Sequence, residues 1–285
     1  MPGNILTSEK HFFLGKENKS IYCVEYLPEH NKNRNTGVIL CKPLWGERIR
    51  THRVFSNLAR LLRKEGFSVL TCDYFGDGNS GGDTLDLSYS SMVEDILSLK
   101  SYLVEKYRIQ EVVLLGFRMG ATCGMGAAPR IEHLRSMILI EPILSPIEYL
   151  KEGLRSNLSS QMALYKKIIK TREVLIEEIK NGAPVNMDGF LIGRGLWDSF
   201  EQISPFKVDG CFNGPVLILS LVDKGKAGTQ YSDLSSKYAN GRVEIIEKEF
   251  YWHEWKKNVT NPPVLFDRIR DELSLSGNTV TKARS

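Results

Sequence analysis

The stretch GFRMG at residues 116–120 has the spacing of a catalytic turn but holds no nucleophile. An apolar, strand-like run precedes it and small residues follow it, which predicts a strand, a sharp turn and a helix. In the matching pattern G-x-S-x-G, such a turn lifts a serine hydroxyl over the edge of a sheet. The arginine at position 118 cannot attack a carbonyl group, because its guanidinium group stays protonated and offers no lone pair.

A positive side chain at this turn requires an anion beside it. The turn places Arg118 at the amino end of a helix, where the helix dipole leaves about +0.5 charge and free N–H groups. This placement is unfavourable by up to about 1 kcal/mol unless an anion compensates. We expect the anion to be Glu141, Asp223 or a bound carboxylate or phosphate, and the alternative is a side chain that points into solvent.

Acidic residues and a histidine follow at the places where a catalytic acid and base are expected in the order nucleophile, acid, histidine. Asp223 ends an apolar run, although Lys224 beside it leaves the register open by one residue, and Glu141 is the other candidate for the acid. His253 follows the last apolar run. It is either a general base that activates water or a partly exposed histidine.

The stretch at 42–53, KPLWGERIRTHR, is expected to form an oxyanion loop. The amide of Leu44 or Trp45 and that of Met119 are predicted to face the pocket, whereas the Trp45 indole either lines the site or packs in the core. The basic residues of this stretch form either a solvated face or a second source of positive charge. For the second case we assign Arg53 to substrate binding, and Glu141 is assigned to the substrate site as well.

Two other residues near the turn have nucleophilic side chains, but neither is predicted to act as a nucleophile. Cys123 lies five residues beyond Arg118 along the predicted helix, more than one helical turn from the mouth of the pocket, and is expected in the core. Ser80 lies in a glycine-rich loop where hydroxyl groups make structural hydrogen bonds.

The elements that position these residues alternate between β-rich runs and helical periodicity, which is typical of a mostly parallel α/β sheet. Helices are predicted at 49–66, 88–108, 229–239 and 262–275. Strands are predicted at 11–15, 20–29, 36–44, 67–72, 111–115, 136–144, 214–223 and 242–250. The first two strands are expected to form a hairpin.

The alternation stops between the sixth and seventh strands, which predicts an inserted segment. Residues 146–205 have a helical pattern without a strong strand, and we interpret them as a helical cap over the carboxyl edge of the sheet. The core is then formed by 1–145 and 206–275, and 276–285 is expected to be a disordered tail. The aromatic residues of the cap either wall the pocket or pack on the core.

The order of elements, the turn and the cap resemble the α/β-hydrolase fold over the whole chain, and 73–82 resembles its D-x-x-G-x-G-x-S loop. The segments at 116–121, 141–155 and 188–203 are similar to the type 2 exosortase A system-associated hydrolases. That resemblance implies arginine at the elbow and a link to bacterial exopolysaccharide genes. It does not imply a dependable histidine near 253, and it supplies no substrate.

Composition excludes several classes of function. The 285 residues carry a formal charge of only +4 and no basic stripe, so no nucleic-acid partner is expected. We predict no membrane span, no metal and no cofactor, and the scattered cysteines favour the cytoplasm. The sequence leaves open whether the chain forms a homo-oligomer.

Two functions fit these residues. The first is a hydrolase of an ester, acyl or anionic small molecule that works without an acyl-enzyme. The second is a pseudo-hydrolase that binds an anionic metabolite or a protein partner.

Overall fold

The computed structural model describes residues 9–16, 19–204, 212–222, 229–247 and 259–275. Its strands lie at Glu9–Leu14 (β1), Ile21–Tyr26 (β2), Thr36–Cys41 (β3), Ser68–Cys72 (β4), Glu111–Phe117 (β5), Leu134–Ile140 (β6), Val185–Met187 (β7), Phe190–Ile192 (β8), Val216–Val222 (β9) and Gly241–Glu247 (β10). Eight of them form one sheet in the order β1-β2-β4-β3-β5-β6-β9-β10. The β2 strand is antiparallel to both neighbours, and the other pairs are parallel.

The helices lie at Trp45–Lys64 (α1), Tyr89–Tyr107 (α2), Met119–Ala127 (α3), Pro146–Gly153 (α4), Arg155–Tyr165 (α5), Arg172–Lys180 (α6), Arg194–Glu201 (α7), Ser232–Ser235 (α8) and Pro263–Leu275 (α9). Both faces of the sheet are covered by helices, as the sequence predicted. Within the described ranges, no helix combines the length and the apolar character needed to cross a bilayer.

The strand β3 shows how the two faces are packed. All six of its residues are buried. Val38 and Leu40 belong to the core formed with α1 and α9, whereas Ile39 and Cys41 belong to the core formed with α2 and α3. Because successive side chains of a strand point to opposite faces, a strand covered on both sides is a continuous apolar run.

Helix boundaries were predicted best where a capping residue marks them. The α2 helix begins after Ser88, whose hydroxyl accepts a hydrogen bond from the amide of Ser91. The α1 helix begins at Trp45, four residues before the predicted start, because the expected oxyanion loop forms its first turns. The helix predicted at 229–239 is mostly absent, and α8 spans only Ser232–Ser235.

The segment between β6 and β9, described over residues 146–204, is called the insert segment below. It contains α4, α5, α6, a β7–β8 hairpin and α7. The hairpin was missed by the sequence prediction, which placed no strong strand there. Its turn is Asp188-Gly189, with φ of 53° and 91°. This dipeptide favours a two-residue hairpin turn, which needs positive φ at both positions.

Candidate functional site

The turn between β5 and α3 has the sharp strand-to-helix geometry that GFRMG predicts. Arg118 lies on it with φ 54° and ψ −122°. The two flanking glycines are required by close packing. A Cβ at Gly120 would overlap the carbonyl oxygens of Cys41 and Lys42, and one at Gly116 would overlap the backbone of α3. The turn therefore presses directly on the end of β3.

Two more residues at this edge of the sheet have left-handed backbone angles. Trp45 follows β3 with φ 51°, and Glu141 follows β6 with φ 48°. The strands β3, β5 and β6 are neighbours and parallel, so Trp45, Arg118 and Glu141 lie at adjacent carboxyl ends. Such angles cost of order 1–3 kcal/mol each and persist only where the surrounding structure enforces them. They mark this edge as the candidate site.

The guanidinium group of Arg118 is held by protein groups. Its Nε lies 3.1 Å from Oε1 of Glu47, and its Nη1 lies 4.0 Å from Oε2 of Glu141. The same group lies over the ring of Tyr149, 5.8 Å from the centroid. Burial acts to lower the pKa of Arg118, but Glu47, Tyr149 and Tyr231 together outweigh it and raise the pKa above its ordinary value. The charge that the turn requires therefore comes from two carboxylates.

Glu141 is fixed by neutral donors as well as by Arg118. Its Oε1 accepts the amide of Leu221 at 2.6 Å and the hydroxyl of Ser220 at 3.2 Å. Its Oε2 accepts the hydroxyl of Tyr231 at 3.0 Å. Burial nevertheless raises the pKa of Glu141, because these bonds and the distant guanidinium group only partly offset the loss of water.

Tyr149 and Trp45 form the wall beside Arg118. The hydroxyl of Tyr149 donates to Oε2 of Glu47 at 3.1 Å, so Glu47 bonds to both Arg118 and the insert segment. The indole of Trp45 stacks on the Tyr149 ring, with centroids 5.9 Å apart and planes 9° apart. The first turn of α1 thus joins the β5–α3 turn to α4.

A cavity of about 200 Å³ opens above Arg118 between α1 and the insert segment. Glu47, Glu152 and Asp188 bring three carboxylates to its lining, and Arg50 and Arg118 bring two guanidinium groups. The full lining consists of Trp45, Gly46, Glu47, Arg50, Arg118, Tyr149, Glu152, Gly153, Met187 and Asp188. The cavity therefore combines an aromatic wall with charged groups of both signs.

The predicted substrate-binding residues take different positions. Leu44 and Met119 are fully buried at the starts of α1 and α3, and Trp45 lines the cavity with its indole. Arg53 is exposed and lines a separate cleft with His52 and Arg60. Within the same basic run it is Arg50 that reaches the cavity.

Asp223 and His253 lie outside the described residues, and so does the predicted tail. The residue that sequence reasoning missed is Glu47. It is the acidic residue of the stretch 42–53, and the search for a partner of Arg118 considered only positions after a predicted strand. Counting the charged residues of that stretch would have identified Glu47 as a candidate partner of Arg118.

Cys123 and Ser80 have the structural roles predicted for them. Cys123 is completely buried, and burial raises the pKa of its thiol well above the ordinary value. Ser80 accepts the amide of Tyr22 at 2.8 Å and donates to the carbonyl of Asp73 at 2.6 Å. In the part of the chain that the structure describes, no group of three or more His, Cys, Asp or Glu side chains is arranged to hold a metal ion.

A second set of buried charges lies at the carboxyl ends of β3 and β4 and is called the inner charge cluster. It consists of Lys42, Arg48, Asp73 and Asp77. The Nζ of Lys42 lies 2.6 Å from Oδ1 of Asp73, and Nε of Arg48 lies 2.9 Å from Oδ2 of Asp77. Burial acts to raise the pKa of Asp73, but the charge and hydrogen bond of Lys42, the amide of Asn79 and the charge of Arg48 together outweigh it and lower that pKa. Burial raises the pKa of Asp77, and Arg48 offsets it only in part. The cluster attaches the loop after β4 to the start of α1.

Comparison with known proteins agrees with this architecture. Residues 48–188 match the family model described as Serine aminopeptidase, S33. No curated protein matches the sequence. Among solved structures, Est1E from Butyrivibrio proteoclasticus with ferulic acid bound is 14% identical with a TM-score of 0.68, covering 93% of this chain and 98% of that one.

Two further structures have the same likeness. Proline iminopeptidase from Mycobacterium smegmatis is 14% identical with a TM-score of 0.62, and the match covers 94% of this chain and 99% of that one. The enol-lactonase from Burkholderia xenovorans is 16% identical with a TM-score of 0.62, over 92% and 100%. At these identities the likeness shows the fold, and this chain has the α/β-hydrolase fold.

Proposed function

We propose that this chain binds a small acyl-bearing molecule in the cavity above Arg118 and forms no acyl-enzyme at that position. The observation that carries the proposal is the pairing of Arg118 with Glu47 and Glu141. This pairing keeps the guanidinium group charged, and a protonated guanidinium group has no lone pair with which to attack a carbonyl carbon. Its N–H groups and the free amides at the start of α3 can still donate hydrogen bonds to a carbonyl oxygen.

The lining favours a neutral acyl group over a strongly anionic one. The charge of Arg118 is already balanced by the protein, and Glu152 and Asp188 bring further negative charge to the same cavity. Trp45 and Tyr149 offer flat apolar surface for the body of the ligand. The anionic ligand expected from the sequence therefore becomes the less favoured choice within this proposal.

One set of measurements distinguishes noncovalent ligand binding from the formation of a covalent acyl-enzyme. Wild-type protein should resist labelling by a fluorophosphonate, and a panel of short-chain acyl esters and amides should bind saturably, as followed by tryptophan fluorescence. Arg118→Ala should weaken that binding about tenfold or more, since it removes a charged hydrogen-bond donor. Arg130→Ala, which removes an exposed arginine paired with Glu94, is the matched control and should bind as the wild type does. Stoichiometric labelling, or unchanged binding by Arg118→Ala, contradicts the proposal.

Hydrolysis is the second candidate, and the strained backbone favours it. Trp45, Arg118 and Glu141 keep left-handed angles at three adjacent strand ends, as expected where an active-site geometry is maintained. In this candidate a water molecule attacks the ester, His253 is the general base, and Asp223 or Glu141 is the acid. Ester turnover that is lost in His253→Ala and kept in Ser80→Ala would support it, and esterase activity in Arg118→Ser would show that the remaining machinery works.

We place this activity in the cytoplasm and treat residues 146–205 as a cap over the site. The support for the cap is that Tyr149 and Met187 of the insert segment line the cavity. The support for the compartment is that Cys23, Cys41, Cys72 and Cys123 are buried and unpaired. The resemblance to the exosortase-associated hydrolases suggests a ligand related to exopolysaccharide synthesis. Accumulation of an acylated precursor in a deletion strain would test that link.

A further inference from the structure

The end of α5 and the loop after it expose an unusual amount of apolar surface. Every residue from 162 to 171 is exposed. Leu164 is 74% exposed and Ile169 is 55% exposed. The exposed apolar side chains are those of Met162, Leu164, Tyr165, Ile168 and Ile169, and together they are called the insert patch. Large apolar residues gathered in this way mark an interaction surface, whereas single ones need no explanation.

The loop that carries the insert patch is held in a defined shape. The side chain of Gln161 is buried beneath it. Its Oε1 accepts the amides of Ile169 and Lys170 at 2.7 and 2.8 Å, and its Nε2 donates to the carbonyl of Lys170 at 3.0 Å. A buried carboxamide that forms three bonds to one loop fixes the backbone of that loop. The apolar side chains are thus presented to the outside by a built structure.

The stretch of sequence that carries the insert patch has charges of one sign, and Lys166 and Lys167 lie within the patch itself, whereas Arg155, Lys170 and Arg172 pair with carboxylates outside the stretch. From residue 154 to residue 172 the chain contains no Asp or Glu, and its charged residues are Arg155, Lys166, Lys167, Lys170 and Arg172. The acidic residues begin at Glu173, and one of them, Glu178, lies 2.6 Å from Lys170. Apolar residues interleaved with lysines in this way are typical of segments that lie at the surface of a membrane with anionic lipids.

We propose that the insert patch docks this protein on an anionic lipid bilayer. The apolar side chains enter the boundary between headgroups and acyl chains, and Lys166 and Lys167 contact the phosphates. The helix α5, whose end carries part of the insert patch, is also bonded to the β7–β8 hairpin. Asn157 of α5 donates to the carbonyl of Asn186 at 2.7 Å, and the next residue, Met187, lines the cavity above Arg118. The proposal stands independently of the ligand proposed above.

Vesicle co-sedimentation of the full chain tests the proposal. Binding is expected to vesicles of phosphatidylcholine mixed with phosphatidylglycerol, to be weak with phosphatidylcholine alone, and to fall as salt increases. The double variant Lys166→Glu/Lys167→Glu should lower the partition coefficient about 30-fold or more, since each surface lysine contributes to binding of anionic lipid. The matched control is Lys64→Glu on α1, which should change it little.

The apolar part is tested with Leu164→Ser/Ile169→Ser. We expect a decrease of about tenfold or more in binding to the mixed vesicles, because two apolar side chains no longer enter the lipid. Ile245→Ser on β10, where the parent residue is 50% exposed, is the matched control and should leave binding unchanged. All these side chains are exposed, so unchanged thermal unfolding would show that the variants are folded.

Two results would overturn the proposal. One is the same weak sedimentation with both vesicle compositions. The other is a concentration-dependent dimer in sedimentation velocity that Leu164→Ser/Ile169→Ser dissociates, since the insert patch would then be covered by a second copy of the chain.

Discussion

Two buried charge clusters lie side by side at the carboxyl edge of one sheet, and one carboxyl group of each, Asp73 and Glu141, is held in the opposite way to the other. In the inner charge cluster, Asp73 has a lysine ammonium group 2.6 Å away, and its pKa is lowered. In the cluster around Arg118, the nearest guanidinium nitrogen to Glu141 is 4.0 Å away, and the pKa of Glu141 is raised. Both carboxyl groups are almost completely buried.

The difference shows which force dominates at each place. Burial penalises a carboxylate strongly, and neutral donors such as the amide of Leu221 only partly offset that penalty. At Asp73 the charge and hydrogen bond of Lys42, the amide of Asn79 and the charge of Arg48 together overcome it. At Asp77 they do not, because burial raises the pKa of that carboxyl group although Nε of Arg48 lies 2.9 Å away. The Lys42–Asp73 pair therefore has the electrostatics of a structural clamp. The cluster around Arg118 contains a carboxyl group held closer to protonation, and it opens onto a cavity.

The largest effect is expected from Lys42→Met. It leaves Asp73 buried beside Arg48 alone, whose Nη1 is 3.8 Å away, and removing one partner of a buried pair should lower the free energy of unfolding by about 3 kcal/mol. Urea unfolding measures it.

The matched control for that variant is Lys151→Met. Lys151 lies at the same distance, 2.6 Å, from Glu148, but this pair is exposed, so a loss within about 0.5 kcal/mol is expected. The double variant Lys42→Met/Asp73→Asn should recover most of the loss. Equal losses for the two lysines would contradict the contrast between buried and exposed pairs.

A smaller effect is expected from Glu47→Gln. The glutamine oxygen can still accept from Tyr149, but Arg118 loses its nearest negative charge. Because this pair borders a cavity, we expect the free energy of unfolding to fall by about 1–2 kcal/mol, between the values for exposed and buried pairs. Glu152→Gln, at the rim of the same cavity, is the control, and its loss should stay within about 0.5 kcal/mol. No difference between the two variants would show that Arg118 does not depend on Glu47.

The pH dependence of stability should differ in sign between the two carboxyl groups. For Asp73 the folded pKa lies below the ordinary value of 3.8, so its stabilisation is present above that pH and is lost as the pH falls through the folded pKa. For Glu141 the folded pKa lies above 4.5, so stability is lost as the pH rises from 4.5 through the folded pKa.

Two variants measure these contributions. Unfolding curves at a series of pH values should show the free energy of unfolding of Glu141→Gln rising relative to that of the wild type as the pH rises above 4.5. The same curves should show the free energy of unfolding of Asp73→Asn falling relative to that of the wild type as the pH rises toward 3.8. The same sign for both variants would remove the distinction between the clusters.

The smallest effect is expected from Arg53→Ala. Its side chain is exposed and outside the cavity, so stability should change by no more than about 0.5 kcal/mol and ester binding should not change. Arg50→Ala should weaken binding of the best ester of the panel severalfold, because Arg50 lines the cavity. If Arg53→Ala weakened ester binding more than Arg50→Ala does, Arg53 would be the binding residue, as the sequence predicted.

Much of the fold was predictable because its signals are local. Ser88 marks the start of α2, and the spacing of Met92, Ile96 and Leu99 predicted the face that is buried. The β7–β8 hairpin was missed although Asp188-Gly189 is a local turn signal, because its strands span only three residues each and lack a period that can be counted. The early start of α1 was missed because Leu44 forms no side-chain cap hydrogen bond that would mark it.

The sequence alone determined that residue 118 is a cation on a predicted strand-to-helix turn between two glycines, and that this turn has no nucleophile. Only the tertiary structure decided what neutralises that cation. Glu47 and Arg118 are 71 positions apart, and they meet because β3 and β5 are neighbours in the sheet. Spacing along a chain does not encode strand order, so the choice among Glu47, Glu141 and a ligand depended on packing.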